Sequence, residues 1–128
     1  MKKLLFLVCA MLLLTACGEN KESTEEAVYV NITAEEAKTI MDTQEGYIIL
    51  DARAQDEYDQ GHIPGAILLP YDETAQKAET MLPDKNQLIL VYCRSGRRSK
   101  LAAEELVKLG YTNIKEFGGI IDWPYEVE

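Results

Sequence analysis

The chain has 128 residues, 47% of them apolar, and this length and composition predict one globular domain with an ordinary core. Its formal charge of −9 argues against a nucleic-acid partner and against a general basic attraction to anionic lipid. Within this acidic chain, basic residues cluster at Arg94, Arg97, Arg98 and Lys100. A single basic cluster on an otherwise acidic domain suits the binding of a small anionic substrate. For Arg97 and Lys100, an equally good interpretation is a pair of solvated charges at the start of a helix.

The amino-terminal residues have the pattern of an export signal. A short positive region, Met1–Lys3, precedes the uncharged apolar stretch Leu4–Leu14, which is too short to span a bilayer because a spanning helix needs about 20 residues. The segment ends in Leu14-Thr15-Ala16-Cys17, which resembles the lipobox of bacterial lipoproteins. That resemblance implies cleavage before Cys17, a lipid on its sulfur, and a domain anchored to the bacterial membrane outside the cytoplasm, in the periplasm or at the cell surface. Plain secretion with Cys17 unmodified is the alternative.

This interpretation divides the chain into three parts and assigns its three cysteines. Residues 1–16 are predicted to be a lipoprotein signal peptide, residues 17–27 a flexible acidic tether, and residues 28–128 the folded domain. Cleavage would remove Cys9, and lipidation would block the sulfur of Cys17. Cys93 would then be the one free thiol, so a structural disulfide is excluded. A single free thiol in a domain outside the cytoplasm suggests that this cysteine has a chemical role.

Strand and helix patterns alternate along the predicted domain. Strands are predicted at 28–32, 47–51, 66–69, 88–92 and 111–117. Helices are predicted at 33–42, 54–60, 71–82 and 100–109, the first opened by the capping box Thr33-Ala34-Glu35-Glu36. The unbroken apolar run Leu88–Tyr92 is typical of a strand buried on both faces. This order predicts an α/β fold, an open parallel sheet flanked by helices on both faces.

The segment from Cys93 to Ser99 lies between the most apolar strand and an amphipathic helix. A helix amino terminus is positive, successive backbone N–H groups form anion-binding nests, and the arginines add full charges, so the pKa of Cys93 is predicted to lie well below its ordinary value. Gly96 permits the dihedral angles of a tight cradle. Ser99 either caps the helix or turns its hydroxyl toward the sulfur. The alternative is an inert buried cysteine beside a basic surface loop.

Four motifs, in order along the chain, resemble those of the rhodanese family. They are Asp51-Ala52-Arg53 after a buried strand, Glu57-Tyr58-x-x-Gly61-His62-Ile63-Pro64-Gly65-Ala66, the loop Cys93-Arg94-x-Gly96-x-Arg98-Ser99, and Gly118-Gly119-Ile120-Ile121-Asp122-Trp123. The resemblance extends from about Val30 to Trp123. It implies a rhodanese-like fold in which the third motif is the active-site loop.

The resemblance also implies sulfur transfer by a covalent route. The Cys93 thiolate would take the outer sulfur of an anionic donor such as thiosulfate, and cyanide or a thiol would remove it from the persulfide. The donor and the persulfide would lie in a ring formed by Arg94, Ser95, Gly96, Arg97, Arg98 and Ser99. Arg94 and Arg98 would hold the donor's oxygens through charge-assisted hydrogen bonds. No cofactor or metal is expected.

Three charged or titratable residues near the loop are assigned to the scaffold. His62 is the one histidine of the chain and has no ligand cluster near it in sequence, which makes a poor metal site. The resemblance implies that His62 is a structural turn element and that Asp51 and Arg53 brace the scaffold near the active-site loop. For Arg53 the alternative is a surface ion pair with Glu57, four residues later.

Two other functions are open to a cysteine loop of this kind. The related cell-cycle dual-specificity phosphatases use the pattern Cys-x5-Arg, but here the sixth residue after Cys93 is Ser99, and the arginine comes one position early at Arg98. The shorter ring fits one sulfur atom better than a tetrahedral phosphate. The domain could instead be a redox-sensing or binding module that uses its thiol or persulfide to detect oxidants or a partner.

Overall fold

The computed structural model describes residues 28–128. The predicted signal peptide, the predicted lipidation site at Cys17 and the predicted tether lie outside the described residues. Within residues 28–128, none of the helices is both long enough and apolar enough to cross a membrane.

The centre of the fold is a sheet of five strands that all run parallel. The strands are β1 (Val30–Asn31), β2 (Ile48–Asp51), β3 (Ile67–Leu68), β4 (Ile89–Cys93) and β5 (Ile114–Gly119). Their order in the sheet is β1-β5-β4-β2-β3, so β4 lies at the centre. The connecting helices are α1 (Ala34–Thr43), α2 (Gln55–Asp59), α3 (Thr74–Met81) and α4 (Arg97–Lys108).

Each face of the sheet carries its own apolar core, and this arrangement confirms the predicted open parallel sheet with helices on both faces. One core contains Ala78, Leu82, Ala102, Ala103 and Leu106 from the α3 and α4 region, together with Leu50, Ile89, Val91 and Ile114. The other contains Ala37 and Ile40 of α1 together with Ile49, Leu90, Tyr92, Phe117 and Trp123. Successive side chains of a strand point to opposite faces, so Cys93, like Val91, belongs to the α4 side.

The predicted helix over residues 71–82 begins differently in the structure. A 3₁₀ turn occupies Tyr71–Glu73, and α3 starts only at Thr74. The reason is that the backbone N–H of Tyr71 donates to the carbonyl of Ala52, 3.0 Å away, and so ties this residue to the end of β2.

A buried ion pair at the end of β2 is hydrogen-bonded to the end of β4. The guanidinium of Arg53 donates to both carboxylate oxygens of Asp51 at 2.8–3.1 Å, and the Tyr92 hydroxyl donates to the same carboxylate at 2.6 Å. Asp51 and Arg53 are both buried. The alternative pairing of Arg53 with Glu57 is therefore wrong, because Asp51 also accepts the backbone N–H of Arg53 and holds that residue against the strand end.

His62 is a packed part of the turn before β3. Its ring stacks on that of Tyr58 with the ring centroids 3.8 Å apart, and its Nδ1 lies 3.0 Å from the Tyr58 carbonyl oxygen. Its backbone exchanges two hydrogen bonds with Glu128. These contacts fix the turn through both the ring and the main chain of His62.

Candidate active site

Cys93 is the last residue of β4, and the chain turns directly from it into the first turn of α4. Gly96 is the residue that makes this possible, because its φ of +110° lies in the left-handed region that disfavours side chains. Gly96 is also the N-cap of α4, which begins at Arg97. The suggestion that Ser99 caps the helix is therefore wrong, and Ser99 lies inside the first turn. Its hydroxyl instead takes the other predicted position, near the sulfur.

Cys93 is 1% exposed, and its sulfur lies in a cradle of hydrogen-bond donors. The backbone N–H of Gly96 donates to Sγ at 2.9 Å, and the Ser99 hydroxyl oxygen lies 3.3 Å from Sγ. Burial by itself raises the pKa of Cys93, but the Ser99 hydroxyl and the backbone N–H groups of Ser99, Gly96 and Ser95 outweigh it. The net effect lowers the pKa of the thiol, as a cradle for an anion requires.

The three arginines of the loop have different surroundings. Arg94 is exposed, and within residues 28–128 its guanidinium makes no ion pair. Arg97 is exposed too, with its guanidinium 5.8 Å from the ring centroid of Tyr71. The guanidinium of Arg98 instead makes a two-pronged ion pair with Glu57, at 2.7 and 2.9 Å. An anionic donor would therefore meet Arg94 as an uncommitted charge but would share Arg98 with a carboxylate.

The Glu57–Arg98 pair predicts a specific pH dependence of stability. The hydrogen bond from Arg98 lowers the pKa of Glu57 from its ordinary value near 4.5 to about 2. Because the folded-state pKa is depressed, the stabilisation is complete above about pH 4.5 and is lost as the pH falls toward 2. The pair is partly solvated, so we expect Glu57→Gln to lower the free energy of unfolding by about 1 kcal/mol at pH 7.

Urea unfolding of the two proteins at pH 7 and at pH 2.5 measures this dependence. The stability difference between the parent and Glu57→Gln should shrink at the lower pH. An exposed carboxylate, Glu45, provides the control variant Glu45→Gln, which should change stability little at either pH. A difference for Glu57→Gln that stays constant over this range would contradict the assignment.

Glu116 is a site residue that the sequence analysis missed. It lies in β5 and is buried at 1% exposure. Its Oε2 accepts hydrogen bonds from the Ser99 hydroxyl at 2.5 Å and from the backbone N–H of Gly118 at 2.9 Å. The Nζ of Lys100, which is half exposed, lies 3.4 Å from Oε1. Lys100 is therefore partly paired with a carboxylate under the loop.

Gly119, at the end of β5, packs directly against the backbone of the cysteine loop. Cys93 is in register with Gly119 on the neighbouring strand. A Cβ atom at Gly119 would lie 1.9 Å from the Arg94 carbonyl oxygen and 2.6 Å from the Ser95 Cα, distances that real Cβ atoms do not show. The backbone N–H of Ile121 donates to that same Arg94 carbonyl at 3.2 Å. Gly119 thus lets the backbone of β5 touch the backbone of the loop.

A cleft of about 470 Å³ opens beside the loop. Its lining includes Arg53, Tyr71, Lys77 and Arg98 together with the acidic Asp72 and Glu73. Among residues 28–128, no group of three or more His, Cys, Asp or Glu side chains is arranged to hold a metal ion.

Comparison with known protein families assigns most of the described domain to one family. The rhodanese-like domain matches residues 33–124, which is most of the chain and contains all four motifs. The chain belongs to the rhodanese-like family. Its rhodanese-like domain brings Cys93, Gly96 and Ser99 together as the motif suggested, while the roles of the individual loop residues stay predictions.

Individual relatives support the same assignment. The chain is 41% identical over 73 residues to the thiosulfate sulfurtransferase PspE of Escherichia coli, covering 57% of this chain and 70% of that protein. It is 35% identical over 112 residues to YrkF of Bacillus subtilis, covering 87% of this chain but only 57% of YrkF. A crystal structure of a rhodanese-related protein from Thermoplasma volcanium superposes with a TM-score of 0.68 at 30% identity, covering 78% of this chain and 98% of that one.

Proposed function

We propose that this protein is a sulfurtransferase that moves a sulfane sulfur from an anionic donor such as thiosulfate to cyanide or a thiol through a persulfide on Cys93. The observation that carries the proposal is the cradle, in which a buried sulfur receives the Gly96 N–H at 2.9 Å with the Ser99 hydroxyl at 3.3 Å. A thiol held this way is a ready nucleophile without a neighbouring base. The activity named for the Escherichia coli relative is of the same class.

The proposed reaction has two displacement steps. In the first, the Cys93 thiolate attacks the outer sulfur of thiosulfate, the bond between the two donor sulfurs breaks, and sulfite leaves with the electron pair. The outer sulfur of the resulting persulfide carries the negative charge within reach of the cradle's N–H groups. In the second, the carbon of cyanide attacks this outer sulfur, the bond to Sγ breaks, and thiocyanate leaves. The thiolate is restored, so the cycle consumes no further reductant or proton.

The surroundings of the thiolate suit a small anion better than a large one. The amino terminus of the 12-residue helix α4 is positive, and the exposed Arg94 directly follows Cys93 in the chain. The position of the phosphatase arginine is taken by Ser99, whose buried hydroxyl lies 3.3 Å from the sulfur. The loop therefore offers the proposed persulfide a hydroxyl and amides in place of a guanidinium at that position.

A steady-state assay tests the proposal directly. Purified protein with thiosulfate and cyanide should form thiocyanate at a rate proportional to protein concentration, and should hydrolyse p-nitrophenyl phosphate no faster than buffer. Hydrolysis of the phosphate ester without thiocyanate formation would favour the phosphatase. Neither activity, with thiosulfate or with a persulfide donor, would favour the sensing or binding module.

We further propose that the domain is exported and anchored by a lipid on Cys17, so that the reaction takes place outside the cytoplasm. The support is the sequence pattern Leu14-Thr15-Ala16-Cys17 after an apolar segment. Mass spectrometry of the mature amino-terminal peptide from bacterial membranes should show residue 17 as the first residue and bearing acyl chains. A mature protein without acyl chains that is recovered from the soluble fraction would contradict the anchor.

A further inference from the structure

Glu116 is a buried carboxylate that the two displacement steps do not use. It shares the α4 side of β5 with Ile114, and its Oε2 lies 2.5 Å from the Ser99 hydroxyl oxygen. A buried carboxylate is costly unless it is well satisfied. Here the Gly118 N–H and Lys100 supply further partners, at 2.9 and 3.4 Å. The Ser99 hydroxyl therefore lies between this hydrogen-bonded carboxylate and the reacting sulfur.

The Ser99 hydroxyl oxygen has four acceptors near it, of which the Gly118 carbonyl oxygen is the most distant at 3.4 Å. The Glu116 carboxylate and the Cys93 sulfur are the two side-chain acceptors that compete for its proton. Its oxygen is 2.5 Å from Glu116 Oε2 and 3.3 Å from Cys93 Sγ, with the Gly96 carbonyl oxygen at 3.1 Å. A hydroxyl has one proton to donate, so it cannot serve the carboxylate and the sulfur at the same time. A bond to a carboxylate is charge-assisted, and here it is also the shorter of the two. When the sulfur carries no charge, the proton therefore faces Glu116.

We propose that Glu116 is a positioning residue that shares the single Ser99 hydroxyl proton with the sulfur of Cys93, holding it while the sulfur is uncharged and yielding it when the thiolate forms. The exchange is a rotation of the Ser99 O–H bond, so no covalent bond is made or broken. The inner sulfur of the proposed persulfide is uncharged, so in that state the proton would face Glu116. Its place in the catalytic cycle rests on the proposed sulfur transfer, but the sharing itself does not.

The consequence is that Glu116 opposes the ionisation of Cys93. When the thiolate forms, it competes with the Glu116 carboxylate for the hydrogen bond from Ser99. The negative charge of the carboxylate also repels that of the thiolate. Lys100 of α4 lies 3.4 Å from the carboxylate and offsets part of this charge. The positive charge of Arg98, also in α4, attracts the thiolate electrostatically. A thiolate of higher pKa is a stronger nucleophile and a poorer leaving group. Glu116 would thus slow the second displacement step, in which Cys93 leaves as the thiolate.

The test measures the pKa of Cys93 from the rate of alkylation by iodoacetamide as a function of pH. The reaction is followed by mass spectrometry on the peptide that contains Cys93, so that other cysteines do not interfere. For Glu116→Gln we expect the midpoint to fall by about one pH unit, the size typical of two coupled sites. The control variant Glu104→Gln removes an exposed carboxylate from α4 and should leave the midpoint unchanged.

A double-mutant cycle separates proton sharing from simple charge repulsion. In the Ser99→Ala background the hydroxyl is gone, so Glu116→Gln should move the midpoint by less than half as much as in the parent. Equal shifts in the two backgrounds, an unchanged midpoint or a raised midpoint would overturn the proposal. This measurement requires no sulfur donor, so its outcome is independent of whether the protein transfers sulfur.

A second measurement on the parent protein covers the case in which Glu116→Gln does not fold. The ¹³C resonance of the Glu116 carboxyl carbon should move as the pH crosses the midpoint found by alkylation. In Cys93→Ser, which has no thiol to ionise, that step should vanish. A Glu116 carboxyl chemical shift that does not change as the pH crosses the Cys93 midpoint would overturn the proposal.

Discussion

Cys93→Ser is expected to abolish thiocyanate formation from thiosulfate and cyanide, with kcat/KM falling by at least about 10³-fold. The serine hydroxyl would occupy the same cradle and accept the Gly96 N–H. However, an alcohol ionises at a pH far above that of a thiol, so the cradle cannot make it a nucleophile at neutral pH. An oxygen also cannot carry the transferred sulfur as a persulfide. The steady-state assay with thiosulfate and cyanide measures this loss.

The control for this variant is Cys17→Ser in the same assay. Cys17 belongs to the predicted lipidation site and not to the cradle, so its removal should change localisation and leave turnover of the purified protein unchanged. Circular dichroism and urea unfolding should show that Cys93→Ser is folded. If Cys93→Ser keeps a tenth or more of the parent activity, a different nucleophile carries the reaction.

Gly119→Ala is expected to disrupt the cradle without removing any group that contacts the substrate. The new Cβ atom would meet the Arg94 carbonyl oxygen at 1.9 Å and the Arg94 carbonyl carbon at 2.3 Å. Both are backbone atoms, so the loop itself must move. A displacement of about 1 Å in a reacting group costs roughly 10²-fold in rate, and we expect a loss of at least that size in kcat/KM. Overpacking should also destabilise the fold by about 1–3 kcal/mol.

Gly46→Ala is a matched control because the same substitution is made at the other end of the sheet. Gly46 has a φ of +80° and open space around its Cα, so an alanine there is strained but meets no neighbour. It precedes the amino end of β2, whereas the cradle lies at the carboxyl ends of the strands. Stability should fall by about 1 kcal/mol while activity is retained. If both variants lose stability equally and neither loses activity, the close contact behind the loop is not needed for catalysis.

The sequence was sufficient for the scaffold and for the cysteine loop because both are encoded locally. An unbroken apolar run followed by Cys93 and an amphipathic helix fixes a strand, a turn and a helix amino terminus within about 20 residues of each other. The parallel sheet and the packing of helices on both faces then follow from the alternation of strands and helices. The strand order β1-β5-β4-β2-β3 does not follow from that alternation and was not predicted. The start of α4 was placed three residues late because Gly96, not Ser99, is its N-cap.

The contacts that tune the loop join residues far apart in sequence, and those were missed. Glu57 and Arg98 are 41 positions apart, and a closer candidate partner, Arg53, was available for Glu57. Arg53 is instead taken up by Asp51 two residues earlier. For Glu116 the sequence did contain an indication, because it lies two positions after the apolar Ile114 and so on the same face of the strand. A charged residue in such a position indicates a buried polar contact, but only the register of β4 and β5 brings it under Ser99.

The most direct test of the cradle's role is the intact mass of the protein after incubation with thiosulfate and removal of the excess donor. We predict a gain of one sulfur atom, located on the peptide that contains Cys93, which disappears with release of thiocyanate when cyanide is added. An unchanged mass under these conditions, with thiosulfate and with other anionic sulfane donors, would contradict the account.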